Sequence, residues 1–143
     1  MSDYKFIIIP IIVVVITQVV KTIIETIKNK KFDIKRLFNG SGGMPSSHSS
    51  LVTSLLALIA LNYGFESVYF AICLIFSMIV LYDAMGIRYE TGKQAEVLNM
   101  ITQKIDIREI KSLKEKVGHK PIEVLGGIIT GILLAIILDK FFI

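Results

Sequence analysis

The stretch "SSLVTSLLALIALNYGFESVYFAICLIFSMIVLY", residues 49–82, holds two apolar runs joined by the short link "NYGFES". Each run is about 15 residues long, and the whole stretch contains a single charged residue, Glu66. Two helices joined by so short a link pack against each other as a hairpin. Two further apolar runs, Phe6–Val20 and Val124–Leu138, flank this predicted hairpin in the sequence.

The composition indicates a membrane protein. Hydrophobic residues make up 53% of the 143 residues, which is more than a soluble domain of this size can bury. The charged residues cluster at 21–36 and 83–123 and leave the apolar runs between them. Each run is shorter than the roughly 20 residues that cross the hydrocarbon layer. Polar residues must therefore complete each span, and such residues are costly at membrane depth unless they line a cavity.

We expect an all-α fold, an integral membrane bundle of about four transmembrane helices, in a single domain over residues 1–143. The expected spans are about 5–27, 47–64, 66–86 and 121–141, with a partly amphipathic cytoplasmic connection at 88–118. Because the number of spans is even, both chain ends lie on the same side of the membrane.

Lysine and arginine determine the expected orientation, because basic loops stay in the cytoplasm. Most of these residues follow the first and third apolar runs: Lys28, Lys30, Lys31, Lys35 and Arg36, then Arg88, Lys93, Lys104, Arg108, Lys111, Lys114, Lys116 and Lys120. The opposite side carries Lys5 and Lys140. This predicts a multi-pass protein of the cell membrane with both termini outside. The net charge of +4 comes mostly from these loops, and it favours attraction to anionic lipid. We expect no nucleic-acid partner.

Polar residues gather at one end of the predicted helices. Gln18, Lys21 and Glu25 end the first helix with the spacing of one helical stripe. Three further polar segments border the other helices: "GGMPSSHSS" (42–50), "YDAMGIRYETGKQAEVLN" (82–99) and "GHKPIE" (118–123). With four spans, all of them lie at the cytoplasmic end. The sequence therefore predicts one site at the inner membrane surface.

The segment "GGMPSSHSS" has the residues of an anion site. Pro45 is suited to the first turn of a helix, and Ser46, Ser47 and Ser49 can cap that helix. Free amides at a helix N-terminus bind anions, and His48 adds an acid–base group among them. The alternative is a plain helix cap with an incidental histidine.

His119 and Glu123 form the second candidate pair. They are four residues apart beside Pro121, and a carboxylate on one imidazole nitrogen makes the other more nucleophilic. Two histidines with Lys21, Arg88 and Lys93 suit phosphoryl transfer through a phosphohistidine. Asp83 is expected to hold Arg88 across a helix end. Alternatively, His119 and Glu123 form a surface pair, or the histidines, Asp83 and Glu123 bind zinc. We rank a metal site lower because the nearby cations repel it, and we expect no cofactor.

The segments "GGMPSSHSSLVTSL", "YDAMGIRYETGKQAEVLN" and "GHKPIEVLGG" together resemble the divergent branch of the type 2 phosphatidic acid phosphatase superfamily. This branch is also described as acid phosphatase/vanadium-dependent haloperoxidase-related membrane proteins. The resemblance extends from about Gln18 to Gly131. It implies a membrane fold and a phosphate site that uses two histidines.

The superfamily's signatures imply a role for each histidine. Its second signature, Pro-Ser-Gly-His, ends in a general acid; this chain has Pro45, Ser46 and His48, with Ser47 in place of glycine. When the third signature is aligned on this chain, its nucleophilic histidine matches His119. Its serine, arginine and aspartate positions are occupied by Ser112, Leu113 and Glu123. The first signature, a lysine, six residues and then Arg-Pro, has no counterpart here. Lys21, Lys35, Arg88 or Lys93 would supply its charge.

The resulting hypothesis is a membrane phosphatase that hydrolyses a lipid phosphate or diphosphate at the cytoplasmic leaflet, without a metal, through a phosphohistidine. His119, His48 and Glu123 are its predicted catalytic residues, and Ser46, Ser47, Arg88, Lys93, Lys21 and Asp83 its predicted substrate-binding set. The alternative is a non-enzymatic binder or transporter of lipid phosphates. In the segment "GIITG", Gly127 and Gly131 permit close helix packing, either within the chain or in a homodimer.

Overall fold

The computed structural model describes residues 3–29, 43–105 and 111–141, and all regular secondary structure in these ranges is helical. The five helices are α1 (Lys5–Asn29), α2 (Ser47–Tyr63), α3 (Val68–Met85), α4 (Ile87–Lys104) and α5 (Pro121–Asp139). The four apolar runs lie in α1, α2, α3 and α5, and α4 forms most of the predicted connection. Several predicted basic or site residues lie outside the described residues: Lys30, Lys31, Lys35, Arg36, Gly42 and Arg108.

The helices form an all-α membrane bundle, which confirms the predicted fold class. Within the described residues, three helical stretches are long and apolar enough to cross a membrane: Lys5–Lys28, Val68–Lys104 and Pro121–Asp139. The shorter α2, with 17 residues, packs against α1, α3 and α5. Large apolar side chains on α3 point outward, among them Ile72, Ile75 and Ile79. An apolar outer surface of this extent needs lipid to cover it.

Small residues bring α2 and α5 into close contact. Gly127 lies against the backbone carbonyl of Ser46, and Gly131 lies against Ser50 and Thr53. The contact between α2 and α5 is thus formed by glycines on one helix and hydroxyl residues on the other, as in many membrane helix pairs. Gly127 and Gly131 are therefore already used within the chain, and a homodimer through them would have to displace α2. Dimerisation itself stays a prediction.

We expect Gly131→Ala to destabilise the bundle by about 1–3 kcal/mol, the usual cost of overpacking. The added Cβ would lie 2.6 Å from the carbonyl oxygen of Ser50 and 2.9 Å from its Cα, and both are backbone atoms. Gly126→Ala is the matched control on the same helix, because the atoms nearest to its Cβ would belong to the side chains of Met44 and Pro45, and the first is 3.0 Å away. Thermal unfolding in detergent compares the two variants. Equal melting temperatures would contradict the proposed closeness of α2 and α5.

A buried charged cluster joins three helices at the end of the bundle that lies far from both histidines. Lys5 Nζ donates to Asp139 Oδ1 at 2.9 Å and to Asn62 Oδ1 at 2.6 Å. Lys5 and Asp139 are only 5% and 8% exposed. Lys5 is predicted on the side opposite the basic loops, and its contacts there tie the start of α1 to the ends of α2 and α5.

Candidate functional site

The structure brings the chain's two histidines together. His48 lies in the first turn of α2, and His119 lies just before α5 begins at Pro121. Their ring centroids are 6.2 Å apart, and the rings meet edge to face at 73°. Since they are 71 positions apart in sequence, their proximity results from the packing of α2 against α5.

Backbone hydrogen bonds hold the two histidine segments in place. The amide of His119 donates to the carbonyl of Ala84 at 3.1 Å, which ties the residue to the end of α3. The amide of Ser46 donates to the carbonyl of Glu123 at 3.0 Å, which joins the starts of α2 and α5. Neither bond involves an imidazole, so the rings are positioned without using their own nitrogens.

His119 is a buried polar side chain without a partner. It is 2% exposed, and neither Nδ1 nor Nε2 has a hydrogen-bond partner among the described residues; the same is true of His48 Nδ1. Buried polar atoms in proteins are nearly always hydrogen-bonded. Two adjacent imidazoles with unpartnered nitrogens therefore point to a ligand that supplies the missing bonds.

The surroundings of His119 keep its ring neutral. Burial is the main cause, and the Lys21 cation is the next; together with His48 and Arg88 they lower the pKa of His119 to about 4. The carboxylate of Glu123 acts in the opposite direction but is outweighed. A neutral imidazole has a free lone pair at physiological pH, as a nucleophile requires.

We expect the protein to lose stability as the pH falls from about 6.5 to about 4. The unfolded His119 ring takes up a proton near pH 6.5, whereas the folded ring does so near pH 4. In this window the unfolded state binds more protons, so acidification favours unfolding, by at most about 3 kcal/mol from this residue. His119→Gln should remove this contribution. Thermal unfolding of both proteins between pH 4.5 and 7.5 provides the measurement, and parallel curves would contradict the assignment.

Glu123 has a different contact from the predicted one. Its carboxylate accepts a hydrogen bond from the backbone N–H of Lys120 at 3.0 Å and so caps the first turn of α5. The predicted bond to the His119 imidazole is not formed in the described structure. The reason is local: α5 begins at Pro121, so His119 lies outside the helix, and the spacing of four residues does not place the two side chains on one helical face.

The start of α2 resembles the predicted anion site, with one correction. Ser46 is the cap: its Oγ accepts from the Ser49 amide at 3.3 Å and from the Ser49 hydroxyl at 2.9 Å. Pro45 therefore lies before the cap, and not in the first turn as predicted. The first bond within the helix runs from the Ser50 amide to the Ser46 carbonyl. The amides of Ser47 and His48 precede that bond and are not used within α2.

Ser46 itself is completely buried and occupied as a cap, whereas Ser47 and His48 are partly exposed. Among the predicted substrate-binding residues, Ser47 thus has better access to a ligand than Ser46. In the structure, Ser46 caps the N-terminus of α2 and joins α2 to α5.

The predicted cations separate into two groups. Arg88 lies near the histidines, and its Nε donates to Asp83 Oδ2 at 2.6 Å, which is the predicted bridge across the helix end. Lys21 is buried, also acts on His119, and lies against Gly43. Lys93, in contrast, is exposed on α4, where it pairs with Glu90 at 2.9 Å and lies over the Tyr89 ring. The structure therefore does not bring Lys93 to the histidines.

Two residues that support the site were missed by sequence reasoning. Gly118 lies directly against the backbone of Arg88 and Tyr89, so a side chain at this position would overlap α4. Asn99 hydrogen-bonds to Leu113 and Glu115. The positions of Gly92, Ala95 and Asn99, three and four residues apart, were a signal that this face of α4 is covered.

The described residues contain no group of three His, Cys, Asp or Glu side chains that could hold a metal ion. The groups around the histidines are instead two cations and the unused amides of a helix start. That combination is suited to an anion with several oxygens, such as a phosphoryl group.

Two comparisons with known proteins identify relatives of this chain. The model of the divergent PAP2 family matches residues 2–134. A relative from Bacillus subtilis (strain 168), described as the uncharacterized membrane protein YuiD, is 40% identical over 145 residues, and the match covers 90% of each chain. No solved structure matches the chain. The family match includes both histidine segments and all five helices except the end of α5, and the chain belongs to the divergent PAP2 family of membrane proteins.

Proposed function

We propose that the protein is a phosphatase that hydrolyses a lipid phosphate or diphosphate at the cytoplasmic leaflet through a phosphohistidine. The observation that carries the proposal is the pair of facing imidazoles, one of them buried, neutral and without a hydrogen-bond partner in the described structure. In phosphoryl transfer, one imidazole of such a pair can attack phosphorus and the other can protonate the leaving oxygen.

In the first proposed step, a nitrogen of His119 attacks phosphorus and the bond from phosphorus to the lipid oxygen breaks. Protonated His48 gives its proton to that oxygen. The lipid alcohol leaves when the substrate is a monophosphate, and the lipid monophosphate leaves when the substrate is a diphosphate. In the second step, His48 takes a proton from water as the water oxygen attacks phosphorus. The bond between phosphorus and nitrogen then breaks, and inorganic phosphate and neutral His119 are released. No metal is needed to balance either step.

The surrounding groups are assigned to the phosphoryl oxygens. Arg88, held by Asp83, and Lys21 offer positive charge, and the amides of Ser47 and His48 offer hydrogen bonds. Such fixed donors stabilise the charge of the transition state more than that of the substrate. Ser46 and Glu123 support these groups through the caps of α2 and α5.

A lipid substrate is favoured by the location of the site. The histidines lie at the helix ends of a bundle with an apolar outer surface. Exposed Ile122 and Leu125 follow His119 closely in the chain, and exposed Met85 follows Ala84, whose carbonyl accepts the His119 amide. We assign the site to the cytoplasmic side because the loops at this end are rich in lysine and arginine.

The alternative function is a binder or carrier of lipid phosphates without turnover. Two observations favour it: Leu113 is exposed at the position of the superfamily's arginine, and Glu123 caps a helix where the superfamily's aspartate would orient the nucleophile. A carrier would use the same cations and amides to hold phosphate.

The two functions are distinguished by one assay. Purified protein in nanodiscs is given phosphatidic acid, phosphatidylglycerophosphate or a polyprenyl diphosphate in the presence of a chelator, and released phosphate is measured. We expect release from at least one lipid, and none from a variant that lacks both histidines. If the wild type binds these lipids and releases no phosphate from any of them, the carrier is the correct function.

A further inference from the structure

Residues 111–118, here called the strap, run along α4 and lead directly into His119. One side chain of α4 holds the strap at its far end. Asn99 Nδ2 donates to the Leu113 carbonyl at 2.9 Å and to Glu115 Oε1 at 2.8 Å, while Asn99 Oδ1 accepts from the Leu113 amide at 2.8 Å. A single carboxamide thus pairs with both backbone groups of Leu113, as a neighbouring strand would.

The other end of the strap is fixed at the start of α4. Gly118 lies against the backbone of Arg88 and Tyr89, and the next residue, His119, donates to the Ala84 carbonyl at 3.1 Å. Between these two ends, the carbonyl of Glu115 lies directly on Gly92. The strap therefore touches α4 at three levels: Asn99, Gly92 and the Arg88–Tyr89 backbone.

The strap is short and is held along its length. Only five residues lead from Leu113 to Gly118, and they include a tight turn in which the Val117 amide donates to the Glu115 carbonyl at 3.1 Å. The Glu115 carbonyl rests on Gly92, and Gly118 rests on the backbone of α4. We therefore expect a displacement of the strap at Asn99 to reach His119 through these contacts.

We infer that Asn99 is a positioning residue that sets the register of the strap on α4 and thereby holds the His119 ring in its buried place beside His48. Asn99 reaches the site only through the strap. The inference deepens the proposed function, since the ring that it positions is the proposed nucleophile, but it concerns the placement of His119 whether or not turnover occurs.

The side chain at this position must both donate and accept. Aspartate keeps the acceptor for the Leu113 amide, but it loses both donors and places a second carboxylate beside Glu115. Alanine loses all three hydrogen bonds. Glu115→Gln keeps the acceptor oxygen that Asn99 uses, so it serves as the conservative control. Thr91→Ala is the second control, because the Thr91 hydroxyl bonds to the Ile87 carbonyl within α4.

The test follows the titration of the histidine rings by NMR on protein labelled with ¹³C in histidine. The chain has two histidines, so two ring signals are expected, and His48→Gln identifies the one from His119. In the wild type the His119 signal should titrate near pH 4. In Asn99→Ala the released strap lets water reach the ring, and the midpoint should rise by about one pH unit or more. Asn99→Asp should behave similarly, and both controls should match the wild type.

Circular dichroism establishes that each variant is folded. If Asn99→Ala is folded and its His119 signal titrates as in the wild type, Asn99 only stabilises α4 and the inference is wrong. Should Asn99→Ala fail to fold, Glu115→Ala takes its place: it removes one of the three bonds and should raise the midpoint part of the way. A wild-type midpoint in Glu115→Ala would then overturn the inference. These results do not depend on phosphatase activity, so a failure of the proposed function is recognised separately. If turnover is found, Asn99→Ala should lower kcat more than it changes KM.

Discussion

Replacing His119 by alanine is expected to abolish phosphate release while leaving the binding of lipid phosphate largely intact. The imidazole is the proposed attacking group, so its loss removes the first step. The groups proposed to hold the phosphoryl oxygens remain in the variant, namely Arg88, Lys21 and the amides of α2. Alanine also removes the two unpartnered ring nitrogens from this buried position, so the fold should tolerate it.

The measurement is a single-turnover assay with lipid carrying labelled phosphate, together with equilibrium binding of the same lipid. During turnover, the wild type should form an acid-labile phosphorylated species that His119→Ala cannot form. Hydrolysis by His119→Ala at the wild-type rate would exclude His119 as the nucleophile. Loss of binding together with hydrolysis would instead assign His119 to substrate binding.

Glu123→Gln is an informative companion to this variant. The sequence predicted that the Glu123 carboxylate orients the nucleophile. In that role Glu123 would be essential, and the glutamine variant would lose most activity. In the structure Glu123 accepts a hydrogen bond from the Lys120 amide, and a glutamine oxygen accepts the same bond. We therefore expect Glu123→Gln to keep most of the activity.

The helices were predictable because each apolar run is bounded by polar or turn-forming residues. Ser46 and Ser67 cap α2 and α3, and Gly64 ends α2 with a positive φ of 82°. The convergence of the two histidines was predictable as well, since an even number of helices returns the chain to the same end of the bundle. These conclusions needed only the periodicity and length of each apolar run and the number of runs, which can be read directly from the sequence.

The contacts of single side chains were harder to predict. The expected pairing of His119 with Glu123 assumed that both residues lie in one helix, but proline at position 121 begins the helix after the histidine. A proline followed two residues later by glutamate is the pattern of a helix start, and it should have indicated a cap. Similarly, Arg88 and Lys93 are five residues apart in α4, which places them on different faces, so they could not both face the histidines.

Other contacts have no local signal. Lys5 and Asp139 are 134 residues apart, and only the packing of α1 against α5 reveals their pairing. The strap has no hydrophobic period, so nothing in its sequence shows that it lies on α4. Its partner positions on α4, Gly92, Ala95 and Asn99, indicate a covered face but not what covers it.

Replacing His48 by glutamine is expected to slow hydrolysis of lipid phosphates roughly 10²–10⁴-fold, the usual effect of losing a general acid. The alkoxide of a lipid alcohol is a poor leaving group, so its departure depends on a proton from His48. Ser50→Ala is the matched control in the same turn of α2, because the Ser50 hydroxyl bonds to the Ser47 carbonyl and should not affect the rate.

The dependence on the leaving group is the sharper part of this prediction. A nitrophenyl phosphate departs as a stabilised anion and needs little protonation, so His48→Gln should slow the first step far less with this ester than with a lipid phosphate. The first step is measured as release of the leaving group in a single turnover, because loss of His48 also slows the second step equally for all esters. These single-turnover rates are compared between wild type and variant for a series of phosphate esters with leaving groups of increasing acidity. For a general acid, the variant's rate should fall steeply as the leaving group becomes a weaker acid, while the rate of the wild type changes little. An equal loss of rate for all esters would show that His48 binds the phosphoryl group or holds the fold of α2, and it would move the role of the acid to another residue.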